Sequence, residues 1–287
     1  MNGLSPGALA QIACVMEATA RKPGNVHRFA DFADLDYLDF LLAASAVAGP
    51  LDRAAADGVG LAVLRAVEAT RRIVATNANL GIILLLAPMA AVPTGVDLAV
   101  GLPRVLEGLD VDDARHVYRA IRLANPGGLG RADAQDVADE PNVTLREAMA
   151  LAADRDLVAR QYADGYSLVL GEGLPALRRN LRSGLSLESA IIGTFLAMMA
   201  EHPDTLIARK LGPDAARAAS RRAREALDSG ASPEALAALD AWLRGDGHRR
   251  NPGATADLIA AVLFAALREG TVSLPRAVGP GAWSGRE

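Results

Sequence analysis

Apolar side chains recur along this chain at intervals of three and four residues almost from end to end, while the alternating pattern of strands is scarce. Leu9, Ile12, Ala13, Met16 and Ala20 share one face of a first helix, which Lys22-Pro23-Gly24 brings to a stop. The same spacing predicts helices over 34–50, 58–75, 80–92, 110–124, 144–170, 186–201, 214–230, 232–247 and 251–270. The segment 34–50 has an acidic start and a Gly49-Pro50 stop; 110–124 has aspartates in its first turn and arginines later, the polarity that a helix dipole favours. Thr144 and Glu147 have the spacing of a capping box. Segments 80–92, 186–201 and 254–268 are apolar almost all round and are expected to be buried. The pattern predicts a single all-α domain over 1–287, a multi-helix bundle with a polar site at its helix junctions. Any strand is reduced to a short piece, and 271–287 forms a loosely packed tail.

At 287 residues and 51% hydrophobic, the chain can bury a core that needs no disulfide or structural metal. Its one cysteine, Cys14, lies on the apolar side of the first helix and reads as a buried thiol. No disulfide within the chain is possible, which fits a reducing, cytoplasmic setting. The N-terminus lacks a basic segment followed by an apolar core, so no signal peptide is expected. The apolar stretch 80–92 is interrupted by Pro88 and falls short of the ~20 residues that span a bilayer. A net charge of −4 and 4% aromatic residues leave no footprint for nucleic acid. Membrane and nucleic acid are set aside as partners.

Polar residues gather at the helix junctions, in "KPGNVHRFADFAD", "TNANLG", "NPGGLGRADAQDV", "DRDLVARQY", "EHPDTLIARK" and "RRNPGATAD". Glycine turns and helix starts present backbone N–H groups to phosphate, and Arg and Lys supply the countercharge. Asp residues facing the same space suit Mg²⁺ held against phosphate oxygens. Plainer readings apply to each motif alone. "NPGGLG" reads as a turn, and Thr76 or Asn77 of "TNANLG" serves equally as a cap for the buried helix. Asp156 and Arg160 have the spacing of a surface ion pair, His116 sits in a charged amphipathic helix, and the His202–Thr205 stretch suits the capping of a buried helix end. Taken together, the clustering points to a polyphosphate ligand with a metal.

The order "E…KPGNVHRF.DF.D…DF…SA", "TN.NLG", "HPDTLIARK" and "RNPGATADLIAAVLF" resembles the triphosphoribosyl-dephospho-CoA synthase family over most of the chain. That family is all-helical and moves the 5-triphosphoribosyl group of ATP to the 2′-hydroxyl of 3′-dephospho-CoA, releasing adenine. The product is a prosthetic-group precursor for acyl carrier subunits of citrate lyase and malonate decarboxylase. The chain looks like a divergent branch. Better-known members have Asn-Thr-His-Lys-Gly where Asn77-Ala78-Asn79-Leu80-Gly81 stands here, and Lys-Pro-Gly-Leu-Val-Asp-Arg where Lys22 to Arg28 carry Asn25 and His27.

The resemblance implies displacement at the anomeric carbon of a ribose triphosphate, through an oxocarbenium-like state. Asp34, Asp136 and Asp257 are the candidate bases for the attacking hydroxyl. Lys22, Arg28, Arg209 and Lys210 would neutralise the triphosphate, and Asp31, Asp154 and Asp204 would hold Mg²⁺. Asn25 and Asn79 suit the sugar or the base; His27, Asn77, Arg155, His202, Thr205 and Asn251 complete the expected nucleotide-binding set. Lys22, His27, Arg28, Asp34, Asn79, Asp204 and Asp257 are expected to line one cavity. ATP and 3′-dephospho-CoA are the expected partners, with a homodimer as an option. The altered "TNANLG" keeps two alternatives in view: the same donor chemistry on another acceptor in one-carbon or pterin cofactor synthesis, and a non-catalytic nucleotide-binding module.

Overall fold

The computed structural model describes residues 3–126, 134–274 and Trp283. Its helices are α1 (Pro6–Thr19), α2 (Tyr37–Asp52), α3 (Ala54–Asp57), α4 (Val59–Arg71), α5 (Leu80–Ala91), α6 (Leu98–Glu107), α7 (Val111–Ala124) and α8 (Leu145–Ala150). They continue as α9 (Leu157–Asp164), a π-helical stretch Ser167–Gly173, α10 (Leu174–Arg182), α11 (Leu187–Glu201), α12 (Thr205–Leu211), α13 (Pro213–Asp228), α14 (Pro233–Arg244) and α15 (Gly253–Arg268). Among the described residues the only β pairing is a single bridge between His27 and Ala30. The fold is all-α, as the periodicity predicts.

The apolar helices form the centre. α5 and α15 are buried on nearly every face, α11 packs against α15, and α1, α2 and α4 close the layer around α5. One hydrophobic cluster runs from Leu9 of α1 to Val272 beyond α15. Cys14 lies inside it as a free thiol, and burial pushes its pKa up. No helix among the described residues is long and apolar enough to cross a membrane.

Pro88 lies within α5 and has no N–H to give to the carbonyl four residues back. That carbonyl, on Leu84, instead accepts the hydroxyl of Tyr162 at 2.6 Å, and the neighbouring Leu85 carbonyl accepts that of Tyr166 at 2.8 Å. Both tyrosine side chains are fully buried. Each thus satisfies a backbone acceptor that no solvent reaches.

Several boundaries differ from the pattern. The expected helix 144–170 is broken into α8, a turn, α9 and the π-helical stretch. The Thr144–Glu147 capping box is present, but Asp156 caps a new start at α9, and Gly165 and Tyr166 both adopt left-handed backbone. Apolar spacing survives such breaks because the pieces bury their residues in the same core. Gly49-Pro50 does not stop α2, which runs on to Asp52. Segments 98–107, 174–182 and 205–211, left unassigned by the pattern, are helices. The junction "NPGGLG" lies largely outside the described residues, as does most of the expected loose tail. Within the latter, Val272 is buried and the Trp283 carbonyl accepts the N–H of Glu188 at 2.8 Å.

Candidate functional site

The loop after α1 is held by bonds to distant elements. Lys22 folds back under the end of α1, with Nζ 2.9 Å from Glu17 Oε1 and bonded to the carbonyls of Glu17 and Ala20. Neither side chain of this pair reaches solvent; burial raises the Glu17 pKa, and the Lys22 charge opposes that rise. The loop then turns at Gly24, whose φ of +75° suits glycine and whose N–H donates to Asp240 Oδ1 at 2.7 Å. Asn25 Nδ2 donates to Asn251 Oδ1 at 2.8 Å, and the Asn25 carbonyl accepts from Arg244. These bonds join "KPGN" to α14 and to the loop before α15.

His27 follows in the bridge to Ala30, and its Nδ1 accepts the Phe29 N–H at 3.3 Å. Burial, with Arg244 and Lys22 nearby, lowers its pKa to about 4. The ring is therefore neutral near pH 7, with Nδ1 as acceptor and the proton on Nε2. Arg28 turns the other way. Its guanidinium spans both carboxylate oxygens of Glu188 at 3.0 Å and donates to the Thr19 carbonyl, while Arg21 grips the same Glu188 from a second side. Burial would raise the Glu188 pKa, but the bonds from Arg21 and Arg28 bring it below the usual value.

A second set of contacts meets at the start of α15. Asp204 caps α12 through Oδ1, accepting from Leu206 and Ile207 N–H, and its Oδ2 accepts both the N–H and the hydroxyl of Thr255 at 2.8 Å. Burial raises its pKa against these four bonds. One turn into α15 lies Asp257, which makes no hydrogen bond or ion pair among the described residues. Its carboxylate packs on Gly81 at the start of α5, where a Cβ would stand 2.0 Å from Oδ2. Burial holds the Asp257 pKa well above the carboxylate range; the charges of Glu17, Asp204 and Asp156 add to this, and Arg209 counters it. Arg209 also faces Asp156 at 3.7 Å. Beside it, burial and Arg209 lower the Lys210 pKa, while Asp34 and Asp204 act in the opposite sense and Arg249 adds to the lowering.

A carboxylate with a raised proton affinity thus lies where α1, α5, α12 and α15 meet, with the Arg209 charge acting on it. Lys22, Asn25, His27, Asp34, Asp204, Arg209, Lys210, Asn251 and Asp257 are connected through these bonds and charges. Other candidates are engaged elsewhere. Asn79 points to Thr70 Oγ1 and the Ala43 carbonyl, and Asn77 Oδ1 accepts the Leu80 N–H, so the cap reading of "TNANLG" holds for Asn77. His202 pairs with Glu172 at 2.7 Å, and Thr205 Oγ1 accepts the Leu157 N–H. Arg155 bonds the Leu151 carbonyl, Asp154 is exposed, and Asp31 accepts the Tyr37 N–H at 2.8 Å. Asp136 lies by Tyr118 and caps Ala138.

Four participants are not among the site residues expected from the sequence. Glu17 is the lone charge on an apolar helix face, five residues before Lys22, and that position is its signal. Glu188 and Asp240 come from helices distant in sequence and have no local signal. The fourth is Asp156, expected to pair with Arg160. It instead caps α9 and faces Arg209, while Arg160 pairs with Asp164 at 3.4 Å, because a cap must turn its carboxylate to the helix start.

The chain matches the CitG family, ATP:dephospho-CoA triphosphoribosyl transferase, over residues 4–275. It is 35% identical over 111 residues to a protein of Pseudomonas putida described as a probable 2-(5″-triphosphoribosyl)-3′-dephosphocoenzyme-A synthase, covering 37% of this chain and 39% of that one. A protein of Pectobacterium atrosepticum described as a 2-(5″-triphosphoribosyl)-3′-dephosphocoenzyme-A synthase is 32% identical over 98 residues, covering 34% of this chain and 32% of that one. The aligned part thus spans well under half of these relatives' own length. A crystal structure from Archaeoglobus fulgidus, described provisionally as a triphosphoribosyl-dephospho-CoA synthase, superposes with a TM-score of 0.66 at 28% identity, covering 80% of this chain and 99% of that one. With 4–275 of its 287 residues matched, this chain belongs to the ATP:dephospho-CoA triphosphoribosyl transferase family.

Proposed function

We propose that this protein transfers the 5-triphosphoribosyl group of ATP to the 2′-hydroxyl of 3′-dephospho-CoA. The observation that carries the reading is Asp257: a carboxylate with no hydrogen bond among the described residues, raised in proton affinity, with the Arg209 charge of α12 acting on it. The acceptor 2′-oxygen forms a bond to the anomeric carbon of the donor ribose as the bond from that carbon to adenine N9 breaks. The adenine leaves with the bonding electron pair and takes up a proton. In its deprotonated form, which Arg209 favours, Asp257 accepts the proton of the attacking hydroxyl, and its raised pKa then makes it a stronger base than an exposed aspartate. Arg209 and Lys210, with Arg249 near them, meet the triphosphate. His27 stays neutral and offers its Nε2–H to the sugar or the base.

Mg²⁺ is proposed to arrive with ATP. Among the described residues no three His, Cys, Asp or Glu side chains are grouped to hold a metal. That fits an ion held by substrate phosphates and one or two carboxylates. Asp156, whose Oδ1 caps α9 and whose Oδ2 faces Arg209, would hold it through Oδ2, because both oxygens of Asp204 are already bonded and Asp257 is the proposed base. The ion would supply charge neutralisation on the phosphates.

The test is incubation with ATP, Mg²⁺ and 3′-dephospho-CoA, with free adenine and the mass of the coupled product as readouts. Adenine together with the triphosphoribosylated product is the expected result. Absence of both with folded protein would sink the proposal, and adenine without that product would sink the acceptor assignment.

A further inference from the structure

A second cationic surface lies away from the Asp257 junction. α4 and α7 border a hollow of about 540 Å³ lined by Glu68, Arg71, Arg72, Arg119, Arg122 and Leu123. Arg119 reaches Glu68 at 3.3 Å, and Arg122 reaches Glu140 at 3.2 Å. Arg71 donates to the Ala75 carbonyl, and Arg72 meets no carboxylate among the described residues. Four guanidiniums therefore face two carboxylates, on a chain whose net charge is −4. Cations in the last turns of α4 and α7 offset the helix dipoles, which accounts for Arg71 and Arg122. The same dipole favours Arg72 at the C-cap of α4, but not Arg119 in the middle of α7, and it does not require all four arginines to border one hollow.

The hollow also continues toward the motif at the start of α5. Arg71 lines it and, at the same time, a narrow cleft formed by Thr70, Thr76, Asn77 and Asn79. In that cleft Thr76 Oγ1 is buried with no hydrogen-bond partner among the described residues. A buried hydroxyl left unbonded is a group awaiting an acceptor or donor.

We propose that this arginine groove is a phosphate-binding site, separate from the cations of α12, and that its ligand is a diphosphate or longer polyphosphate. Guanidinium groups bind phosphate oxygens in pairs, and the volume falls within the range of small-ligand sites. Leu123, exposed at the edge, offers an apolar contact to the organic part of such a ligand. The inference rests on the proposed transfer in one respect: donor and acceptor each carry a polyphosphate, and two such anions call for two cationic surfaces.

Inorganic pyrophosphate is the probe, titrated by calorimetry at low salt. To read the groove alone, the background chain carries Arg209→Ala and Lys210→Ala. Adding Arg72→Ala with Arg119→Ala should weaken pyrophosphate binding at least tenfold. Adding Arg115→Ala, an exposed α7 arginine paired with Asp112 outside the hollow, should change it less than twofold. Arg72→Gln with Arg119→Gln serves as a second pair, and melting without ligand checks that each chain is folded. Equal affinity in the groove variants, equal losses in Arg115→Ala, or no binding to the background chain would overturn the proposal. In the otherwise native chain, loss of 3′-dephospho-CoA affinity in the groove variants assigns the groove to the acceptor, and loss of ATP affinity assigns it to the donor. Groove-dependent pyrophosphate binding in that background, with no adenine release by the native chain, would refute the transfer and leave the phosphate site standing.

Discussion

The carboxylate of Asp257 rests on the backbone of Gly81: a methyl group at residue 81 would lie 2.0 Å from Oδ2. Helix α5 can bring its first turn against α15 at this point only because residue 81 has no side chain. Gly81→Ala should therefore push Asp257 out of place and lower adenine release at least tenfold. Overpacking of this kind also costs about 1–3 kcal/mol of stability. Turnover at the native level in the alanine variant would show that the carboxylate's position is not what catalysis uses.

Asp257 itself is predicted to trade stability for activity. Its folded pKa lies well above the unfolded value, so the native state holds a proton that the unfolded chain releases. Stability is full below the unfolded pKa, near ~4, and falls as pH rises toward the folded pKa. Asp257→Asn keeps the shape and removes the titration. The variant should melt higher than the native protein at pH 8, converge with it at acid pH, and lose about 10²–10⁴-fold in rate. Melting curves across pH, read beside adenine release, check both halves.

The opposite sign applies at Glu188, where the Arg21 and Arg28 bonds bring the folded pKa below its usual value. Its contribution is present above the unfolded pKa and disappears as pH falls through the folded one. Arg28→Ala should destabilise the protein by about 1–3 kcal/mol, since it leaves Glu188 on Arg21 alone. Glu188→Gln should flatten the acid limb of the stability curve. If Arg28→Ala melts normally and loses only turnover, the residue handles substrate rather than structure.

His27 gives a third pH signature. With a folded pKa of about 4 against 6.5, the unfolded chain binds the extra proton first. Native stability should fall as pH drops from 6.5 toward 4, by at most about 1.4 kcal/mol per pH unit. Denaturant titrations of His27→Gln, which cannot titrate, should lack this slope. An identical slope in the variant would refute the assignment.

Much of this was legible along the chain, because local rules wrote it there. The apolar faces of α5, α11 and α15 follow from helical spacing, and the Thr144–Glu147 box stands where its residues imply. Asp257 was legible as a candidate base in the "RRNPGATAD" junction. What was illegible depends on partners far off in sequence. Nothing near Arg28 announces Glu188, 160 positions away, so a guanidinium beside a glycine turn looked like a phosphate ligand. The break at Tyr166 is also hidden, since a tyrosine with left-handed backbone leaves no mark on periodicity.

The repair of α5 by Tyr162 has a consequence for inheritance. A hydroxyl facing an intact helix is tolerated, whereas a proline that strands a buried carbonyl is not, so the tyrosine can precede Pro88 but not the reverse. Related chains with proline at position 88 should carry a hydroxyl-bearing residue at 162. Those with another residue at 88 are at liberty to exchange the tyrosine for phenylalanine. The two positions, 74 apart in the chain, should covary as one character.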